Sequence, residues 1–282
     1  MKFETELEQL IYAIVRIETE ESDNKKGLGT SFVFNCYIDK TTSPFLVTNK
    51  HIVEGVRKGY IYFTQANDDQ PQIGKVICVP ITDFEDAWCG HPDPDIDIAV
   101  MPLGEVTKVA KEQGLDLYYK SIPLDLIPTD NDLSDLDLMQ DIIFLGYPEG
   151  MYDQLHNYPL IRKGITASPP NIDFNGIKIF LIDASVYKGS SGSPVLIYNR
   201  GIHKTRENVQ IAGKTYIKFL GVVGKASYSE TKGIIETVQG GRLVKSSIKT
   251  KEMIDLGVVY KASTVLETVD EYLKKRGVKR DQ

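Results

Sequence analysis

The chain has 282 residues, 41% of them hydrophobic and 26% charged, so it can form one large domain or two domains of about 100 to 150 residues. This ordinary composition, without a biased tract, excludes a predominantly disordered protein. The formal net charge of −6 argues against a nucleic-acid-binding protein, because binding to phosphates needs a concentrated basic surface.

The N-terminal stretch "MKFETELEQLIYAIVRIETEE" has glutamates where a signal peptide needs a positive region and an apolar core. No later window approaches the roughly 18 apolar residues of a membrane span. The three cysteines lack metal-site spacing, which argues against a disulfide framework and favours a reducing compartment (Cys36, Cys78 and Cys89). We expect a soluble, cytoplasmic protein with no cofactor, no metal ion, no membrane and no nucleic-acid partner.

Short runs rich in β-branched and aromatic residues recur along the chain. One group comprises "IYAIVRIE", "TSFVFNCYI", "FLVTN", "YIYFT" and "KVICV", and a second comprises "IIFLG", "IKIFLI", "PVLIY", "KFLGVV" and "LGVVY". Many short strands at this spacing are typical of antiparallel sandwiches and barrels. The sequence therefore predicts an all-β fold with two β units.

The two groups are separated by an Asp-rich segment with two prolines, which suits a surface connection. We predict an N-terminal helix and first β unit in residues 1–112, with the short helix in "FETELEQLIY". An acidic linker is predicted in residues 113–138, a second β unit in residues 139–261, and a C-terminal helix in residues 262–282.

The C-terminal segment "STVLETVDEYLKKRG" has helical periodicity. Thr264 and Glu267 have the spacing of a capping box, and Gly277 suits helix termination. One helical face is apolar and is predicted to pack on the β structure (Val265, Leu266, Val269, Tyr272 and Leu273).

The segment "YKGSSGSPV", residues 187–195, contains three serines among glycines, and a plain turn between strands is its simplest interpretation. Alternatively, Gly189 and Gly192 permit a tight loop in which the N–H groups of Gly189 and Ser191 converge. Such donors would stabilise the oxyanion that forms when the Ser191 hydroxyl acts as a nucleophile.

A serine nucleophile needs a neighbouring base, and the chain offers four histidines. His51 follows the apolar run "FLVTN" at a turn of the chain, where a side chain can be held rigidly at a cleft. A structural role for His51 is the alternative. The other three lie in polar, loop-like segments and are interpreted as solvated (His91, His156 and His203).

A carboxylate is needed to orient the imidazole, and "DPDIDIAV" offers Asp93, Asp95 and Asp97. Alternate aspartates can indicate calcium, but the sixth and twelfth positions counted from Asp93 are Ile98 and Gly104 instead of Gly and Glu. The spacing therefore argues against a calcium site. Asp97, directly before the apolar run "IAV", is the candidate.

The order His, Asp, Ser and the segments "LVTNKHIV", "DIDIAV" and "GSSGSP" resemble chymotrypsin-fold (trypsin-like) serine proteases. "GLGTSFVF", "FLGYPEG", "IRKGITAS" and "IDASVYKGSSGSPV" are similar to the HtrA-like branch, without a PDZ domain. The resemblance implies two six-stranded β-barrels with the site between them. It also implies that Ser191 is the nucleophile, His51 the general base and acid, and Asp97 the orienting carboxylate.

The same resemblance implies an oxyanion hole built from the N–H groups of Gly189 and Ser191. The strand Gly224-Lys225-Ala226 would pair with the substrate backbone, and the specificity pocket would be floored near Ser185 and bordered by Ala226. Neither pocket residue is acidic. We therefore expect a small or medium apolar side chain at the cleaved position of the substrate.

Two features depart from the family pattern. Ser190 stands where digestive relatives have an aspartate that receives a newly cut N-terminus, so we do not expect that activation route. Ser193 replaces a glycine after the nucleophile. Long insertions at residues 199–218, with the pattern of a hairpin, and at residues 228–255 lie where functional loops are common.

These features predict a serine endopeptidase that acts on a protein or peptide substrate and is regulated by ordering of its loops. The alternative is a catalytically silent binding or scaffold module with the same fold. An intermediate state, in which an activating partner protein orders the serine loop, also fits the sequence.

Overall fold

The computed structural model describes residues 5–20, 26–204, 206, 209–239 and 242–281. In this part of the chain nine strands form the first sheet. The strands are β1 (Ile14–Glu20), β2 (Lys26–Ile38), β3 (Thr41–Thr48), β4 (Lys58–Asn67), β5 (Gln70–Thr82), β6 (Cys89–Gly90), β7 (Ala99–Pro102), β8 (Leu117–Tyr118) and β9 (Ile122–Pro123). Their order is β5-β4-β1-β2-β3-β7-β6, while β8 pairs with β4 and β9 runs parallel to β2.

The second sheet is a closed six-stranded barrel in the order β10-β11-β12-β15-β14-β13. Its strands are β10 (Asp141–Gly146), β11 (Leu160–Thr166), β12 (Ile179–Asp183), β13 (Pro194–Lys204), β14 (Val209–Gln239) and β15 (Arg242–Lys261). The helices of the described residues are α1 (Glu6–Leu10), α2 (Lys50–Val53), α3 (Leu103–Glu112), α4 (Asp130–Asp135) and α5 (Ala262–Lys274). The all-β class, the two β units and both terminal helices are thus confirmed.

The first sheet differs from the expected six-stranded barrel because backbone hydrogen bonds do not join its end strands, β5 and β6, in the described residues. The chain crosses from β5 to β6 through Phe84 and Trp88, whose rings lie 5.7 Å apart. Both side chains are buried in the core of this sheet. Aromatic packing therefore closes this side of the first β unit in place of a ladder of hydrogen bonds.

A hydrophobic cluster lies between the two sheets and receives residues from both. Phe219 of β14 packs its ring 5.3 Å from that of Phe32 on β2. Val265, Val269 and Leu273 of α5 are buried in the same cluster, so the predicted apolar face of the C-terminal helix is confirmed. The helix therefore contributes to the junction at which the two β units meet.

The capping box predicted for this helix is wrong, because α5 begins at Ala262 with Lys261 at its N-cap and has no side-chain cap. The Thr264 hydroxyl donates to the Lys261 carbonyl oxygen at 2.7 Å. Glu267 instead bonds to His91 and Lys178. The Glu267 side chain thus bonds to residues distant in sequence instead of capping its own helix.

The segment of residues 113–138 is more than a surface connection. The strands β8 and β9 lie within it and pair with the first sheet, and α4 follows them. The predicted hairpin in residues 199–218 is confirmed by the pairing of β13 with β14, and β14 and β15 form a second, longer hairpin. None of the helices in the described ranges is long and apolar enough to cross a bilayer.

Candidate active site

His51 is held at the junction by the end of β3 and the short helix α2. The register of β3 with β7 pairs Thr48 with Ala99, which brings the residues just beyond Thr48 beside those just before Ala99. His51 and Asp97 are therefore neighbours although 46 residues separate them in sequence. The tertiary pairing explains why the two sequence candidates meet.

The Asp97 carboxylate contacts His51 twice. Its Oδ1 accepts a hydrogen bond from the His51 backbone N–H at 3.0 Å, and its Oδ2 lies 2.6 Å from His51 Nδ1. Because an ionised carboxylate can only accept, Nδ1 carries the proton and Nε2 is left as the basic nitrogen. The Asp97 side chain is 12% exposed and that of His51 39% exposed, so the acid is shielded while the imidazole faces a cleft.

Asn49 fixes the Asp97 segment from the same side. Its Nδ2 donates to the Asp97 backbone carbonyl oxygen at 2.7 Å, and Asn49 is fully buried. Asp93 and Asp95 lie outside this arrangement, since Asp93 Oδ1 accepts from the Asp95 backbone N–H at 2.9 Å. The structure therefore selects Asp97 from the three aspartates as the partner of His51.

The serine segment forms a tight loop that needs glycine at two positions. Gly189 and Gly192 have φ angles of +88° and +86°, a region that residues with a Cβ rarely adopt. An added Cβ at Gly192 would collide with the Thr30 carbonyl oxygen, and one at Gly189 with the Tyr147 carbonyl oxygen. The loop is therefore pressed against β2 and against the residue that follows β10, which excludes the interpretation as a loosely packed Gly/Ser turn.

Thr30 of β2 fastens this loop to the first sheet, a role that sequence reasoning missed. Its N–H donates to the Ser191 carbonyl oxygen at 3.0 Å, and its hydroxyl donates to the Gly189 carbonyl oxygen at 2.8 Å. The Thr30 carbonyl oxygen accepts from the Thr48 hydroxyl at 2.7 Å. The segment "GLGTSFVF" carried a family resemblance but nothing that singled out this threonine.

The Ser191 hydroxyl donates to the Gly224 carbonyl oxygen at 2.7 Å. Between the described residues there is no hydrogen bond from this hydroxyl to His51, although both side chains line one cleft of about 450 Å³. Among the described residues, the backbone N–H groups of Gly189 and Ser191 have no hydrogen-bond acceptor. The cleft is also lined by Leu28, Ile52, Glu54, Val56 and Lys188.

The predicted substrate-pairing residues lie on β14 beside Ser191. β13 pairs with β14 as far as Val222, so beyond that residue the edge of β14 on the β13 side has no strand partner among the described residues. Lys225 is exposed and Ala226 half-buried. An extended peptide can therefore add to this edge.

Ser185, the predicted pocket floor, is half-buried and accepts a hydrogen bond on its carbonyl oxygen from the Arg162 guanidinium at 2.5 Å. The Arg162 guanidinium lies 5.0 Å from the Tyr187 ring and 5.5 Å from the Phe144 ring. Arg162 has no carboxylate partner among the described residues. A positive charge that sequence reasoning did not single out thus lies behind the predicted floor.

Two of the remaining histidines have described side chains, and each has a carboxylate partner other than Asp97. His91 is buried, contrary to the expectation of a solvated side chain, and its Nε2 lies 3.2 Å from Glu267 Oε2. His156 Nδ1 lies 2.7 Å from Asp153 Oδ2 at the surface. The side chain of His203 is outside the described residues. His51 is thus the histidine that the structure brings to the cleft of Ser191.

Among solved structures, the chain is similar to the Rv3671c protease from M. tuberculosis in its active form, at 18% identity over 92% of this chain and 80% of that chain, with a TM-score of 0.45. The HtrA-type protease AlgW with a tripeptide matches at 15% identity over 96% of this chain and 63% of that chain, with a TM-score of 0.48. The thermostable serine protease AL20 from an extremophilic microorganism matches at 12% identity over 93% of this chain and 97% of that chain, with a TM-score of 0.46.

A search of curated protein sequences finds no significant match. The sequence profile of the trypsin-like peptidase domain, in contrast, matches residues 29–201. That range contains His51, Asp97 and Ser191 and spans more than half of the chain. The protein therefore belongs to the trypsin-like peptidase domain family.

Proposed function

We propose that this protein is a serine endopeptidase that cleaves protein or peptide substrates through Ser191, His51 and Asp97. One observation carries the proposal. The His51–Asp97 pair, the Ser191 side chain and the two acceptor-free N–H groups of Gly189 and Ser191 meet at a single cleft between the two β units. A plain structural turn would require none of these features.

The chemistry follows from the roles of these groups. The Ser191 oxygen attacks the substrate carbonyl carbon while His51 Nε2 takes the hydroxyl proton, and Asp97 stabilises the imidazolium that results. The N–H groups of Gly189 and Ser191 donate to the oxyanion. His51 returns the proton to the leaving amine as the C–N bond breaks, and a water molecule activated by His51 then hydrolyses the acyl-enzyme.

The hydrogen bond from Ser191 to Gly224 supports regulation at this site. While the hydroxyl donates to Gly224, its proton is not directed at His51. A substrate N–H that pairs with the Gly224 carbonyl oxygen competes for that acceptor and frees the hydroxyl to turn to His51. Substrate binding, or a partner protein that orders the loop, thereby activates the nucleophile.

The cleaved position of the substrate is proposed to carry a small or medium apolar side chain. Arg162 supports the exclusion of Lys and Arg there, because its guanidinium lies behind Ser185 and like charges repel at close range. Ala226 is only half-buried and leaves one wall of the predicted pocket apolar. A peptide library with all residues at this position tests the preference.

The cytoplasmic location expected from the sequence stays a prediction that cell fractionation tests.

Active-site labelling tests the proposed function. The wild-type protein should react with a fluorophosphonate probe and Ser191→Ala should not, because only an activated serine is phosphonylated. Asp97→Asn should lower turnover by about 10⁴-fold, since the asparagine amide favours the wrong tautomer of His51. Ser193→Ala is the matched control and should label like wild type. Undiminished labelling of Ser191→Ala would contradict the assignment.

The second candidate function is a catalytically silent binding module, which the direction of the Ser191 hydroxyl favours. In that case neither the wild-type protein nor its mixture with cell extract reacts with the probe, and partner binding is unaffected by Ser191→Ala. Labelling that needs cell extract identifies an enzyme with an activating partner.

For an active form, turnover should fall on acidification from about pH 8 to pH 5, because a protonated His51 cannot act as base.

A further inference from the structure

Residues 147–158, which follow β10, lie against the loop that carries Ser191. The Glu149 backbone N–H donates to the Lys188 carbonyl oxygen at 2.6 Å. That oxygen belongs to the same peptide group as the Gly189 N–H, one of the two proposed oxyanion donors. Because the C=O and N–H of a trans peptide point in opposite directions, the bond from Glu149 directs the Gly189 N–H away from residues 147–158. Gly189 lines the cleft.

Arg16 of β1 holds the far end of residues 147–158. Its side chain is only 6% exposed. The Arg16 Nε donates to Asn157 Oδ1 at 3.3 Å, and the guanidinium carbon lies 4.5 Å from the centroid of the Tyr152 ring, a distance at which a cation is attracted to an aromatic face. The guanidinium therefore contacts this segment at two places, and the proposed catalytic steps give it no role.

The Arg16 side chain is itself fixed by the first β unit. The guanidinium carbon lies 3.7 Å from the centroid of the Tyr62 ring on β4. The Glu18 carboxylate pairs with Arg16 Nη1 and also accepts from the Tyr62 hydroxyl at 2.9 Å. A buried cation needs such a carboxylate partner. Arg16 is thus a fixed point to which the segment after β10 is attached.

Tyr147 carries this attachment to the serine loop. Its side chain is fully buried, and its hydroxyl donates to the Asn157 carbonyl oxygen at 3.2 Å. Its N–H donates to the Thr30 hydroxyl oxygen at 3.1 Å. Glu149, two residues further on, has a φ angle of +49°. A residue other than glycine keeps such a conformation only where its surroundings hold it, so the donor that fixes Lys188 depends on these contacts.

We propose that Arg16 is a positioning residue that keeps the Gly189 N–H directed at the cleft. It acts through Asn157, which holds the segment in the form that lets Glu149 donate to Lys188. This inference rests on the proposed function. Without that hydrogen bond the Lys188–Gly189 peptide can rotate, which removes one oxyanion donor while the triad side chains stay in place.

Saturation kinetics with a fluorophosphonate probe tests the effect on the oxyanion hole. In Arg16→Gln the maximal labelling rate should fall about 10-fold, a part of the roughly 10²-fold cost of losing one oxyanion donor completely. The half-saturating probe concentration should stay unchanged, because the lost donor acts in the transition state. Arg280→Gln is the matched control, since Arg280 Nε donates to Asp270 at 3.1 Å on α5. Equal maximal rates for Arg16→Gln and wild type would overturn the proposal.

Variants of Asn157 test the same contact without changing a buried charge. Asn157→Gly removes the acceptor of Arg16 at a φ angle of +59°, which glycine adopts without strain, and it should lower the maximal labelling rate as Arg16→Gln does. Asn157→Asp keeps an acceptor oxygen and should restore most of that rate. Combining Arg16→Gln with Asn157→Gly should cost little more than either change alone. Multiplied effects, or an equal loss in Asn157→Asp, would contradict the inference.

A readout without catalysis separates this inference from the proposed function. Amide hydrogen exchange followed by NMR reports the bond from Glu149 to Lys188 directly. In Arg16→Gln the Glu149 N–H should exchange about 10-fold faster, whereas the Val223 N–H, which donates to the Ser193 carbonyl oxygen at 2.9 Å, should not change. If the wild-type protein never labels, the proposed function fails while this measurement still decides the role of Arg16. Unchanged exchange at Glu149, or equal acceleration at both amides, would refute that role.

Discussion

Ser190 lies beside the proposed nucleophile with its side chain buried at 1% exposure. Its hydroxyl has no hydrogen-bond partner among the described residues, and the same holds for Ser193. An aspartate in this position would bury a charge that needs a cationic partner. The neutral serine is therefore consistent with a loop shaped by Thr30 and the two glycines, without an ion pair at this position.

Ser190→Ala should leave the free energy of unfolding unchanged or raise it by about 1 to 2 kcal/mol, because it removes a buried polar group that lacks a partner. Labelling by fluorophosphonate should persist. Urea unfolding measures the first quantity, with Thr30→Val as the contrasting variant, since Thr30 bonds to Gly189 and should destabilise when changed. A loss above about 1 kcal/mol for Ser190→Ala would mean that its hydroxyl is bonded.

At the scale of elements, side-chain hydrogen bonds connect the C-terminal helix to the segment that carries Asp97. Glu267 of α5 lies 3.2 Å from His91 Nε2 and 2.8 Å from Lys178 Nζ. His91 Nδ1 accepts from the Asp93 backbone N–H at 3.1 Å, so the imidazole donates through Nε2 to Glu267. The helix thereby anchors the loop between β6 and β7 to the junction.

Glu267→Ala should lower the free energy of unfolding by about 1 to 3 kcal/mol, because the buried His91 N–H loses its acceptor. Glu271→Ala on the same helix is the control. Its contacts to Lys274 and Lys275 are 3.8 Å long and involve exposed lysines, so the expected change is within about 0.5 kcal/mol. Chemical denaturation measures both, and equal effects would argue against an anchoring role for Glu267.

At the scale of the whole molecule, the two β units share one buried junction. Phe219 of the second barrel is fully buried and faces Phe32 and Phe34 of the first sheet, with ring centroids 5.3 and 6.2 Å away. The proposed triad is divided across this junction, with His51 and Asp97 on one unit and Ser191 on the other. Stability of the junction and alignment of the site are therefore coupled.

Phe219→Ala should reduce the free energy of unfolding by about 3 to 5 kcal/mol through loss of apolar burial and the cavity left behind. Phe219→Leu should cost less, because it fills part of the space. Denaturation followed by both Trp88 fluorescence, in the first β unit, and circular dichroism should show one coincident transition. Separate transitions in wild type would contradict the coupling of the two units.

Some features were predictable from local sequence because they depend on local chemistry. The β-branched runs indicated the strands, the apolar period of "STVLETVDEYL" indicated α5, and Gly189 and Gly192 indicated a tight loop. The candidate residues His51, Asp97 and Ser191 followed from the chemistry that a serine nucleophile needs. For these features the side chains themselves and their near neighbours carry the physical cause.

Other features depend on contacts between residues far apart in the chain, which local patterns do not encode. The contact between Asp97 and His51 rests on the pairing of β3 with β7, and the loop geometry rests on Thr30. Glu267 bonds to His91 instead of capping its helix, because α5 begins at Ala262 and Glu267 therefore lies beyond the first helical turn. Residue chemistry thus determined which groups could act, whereas tertiary packing decided which of them meet.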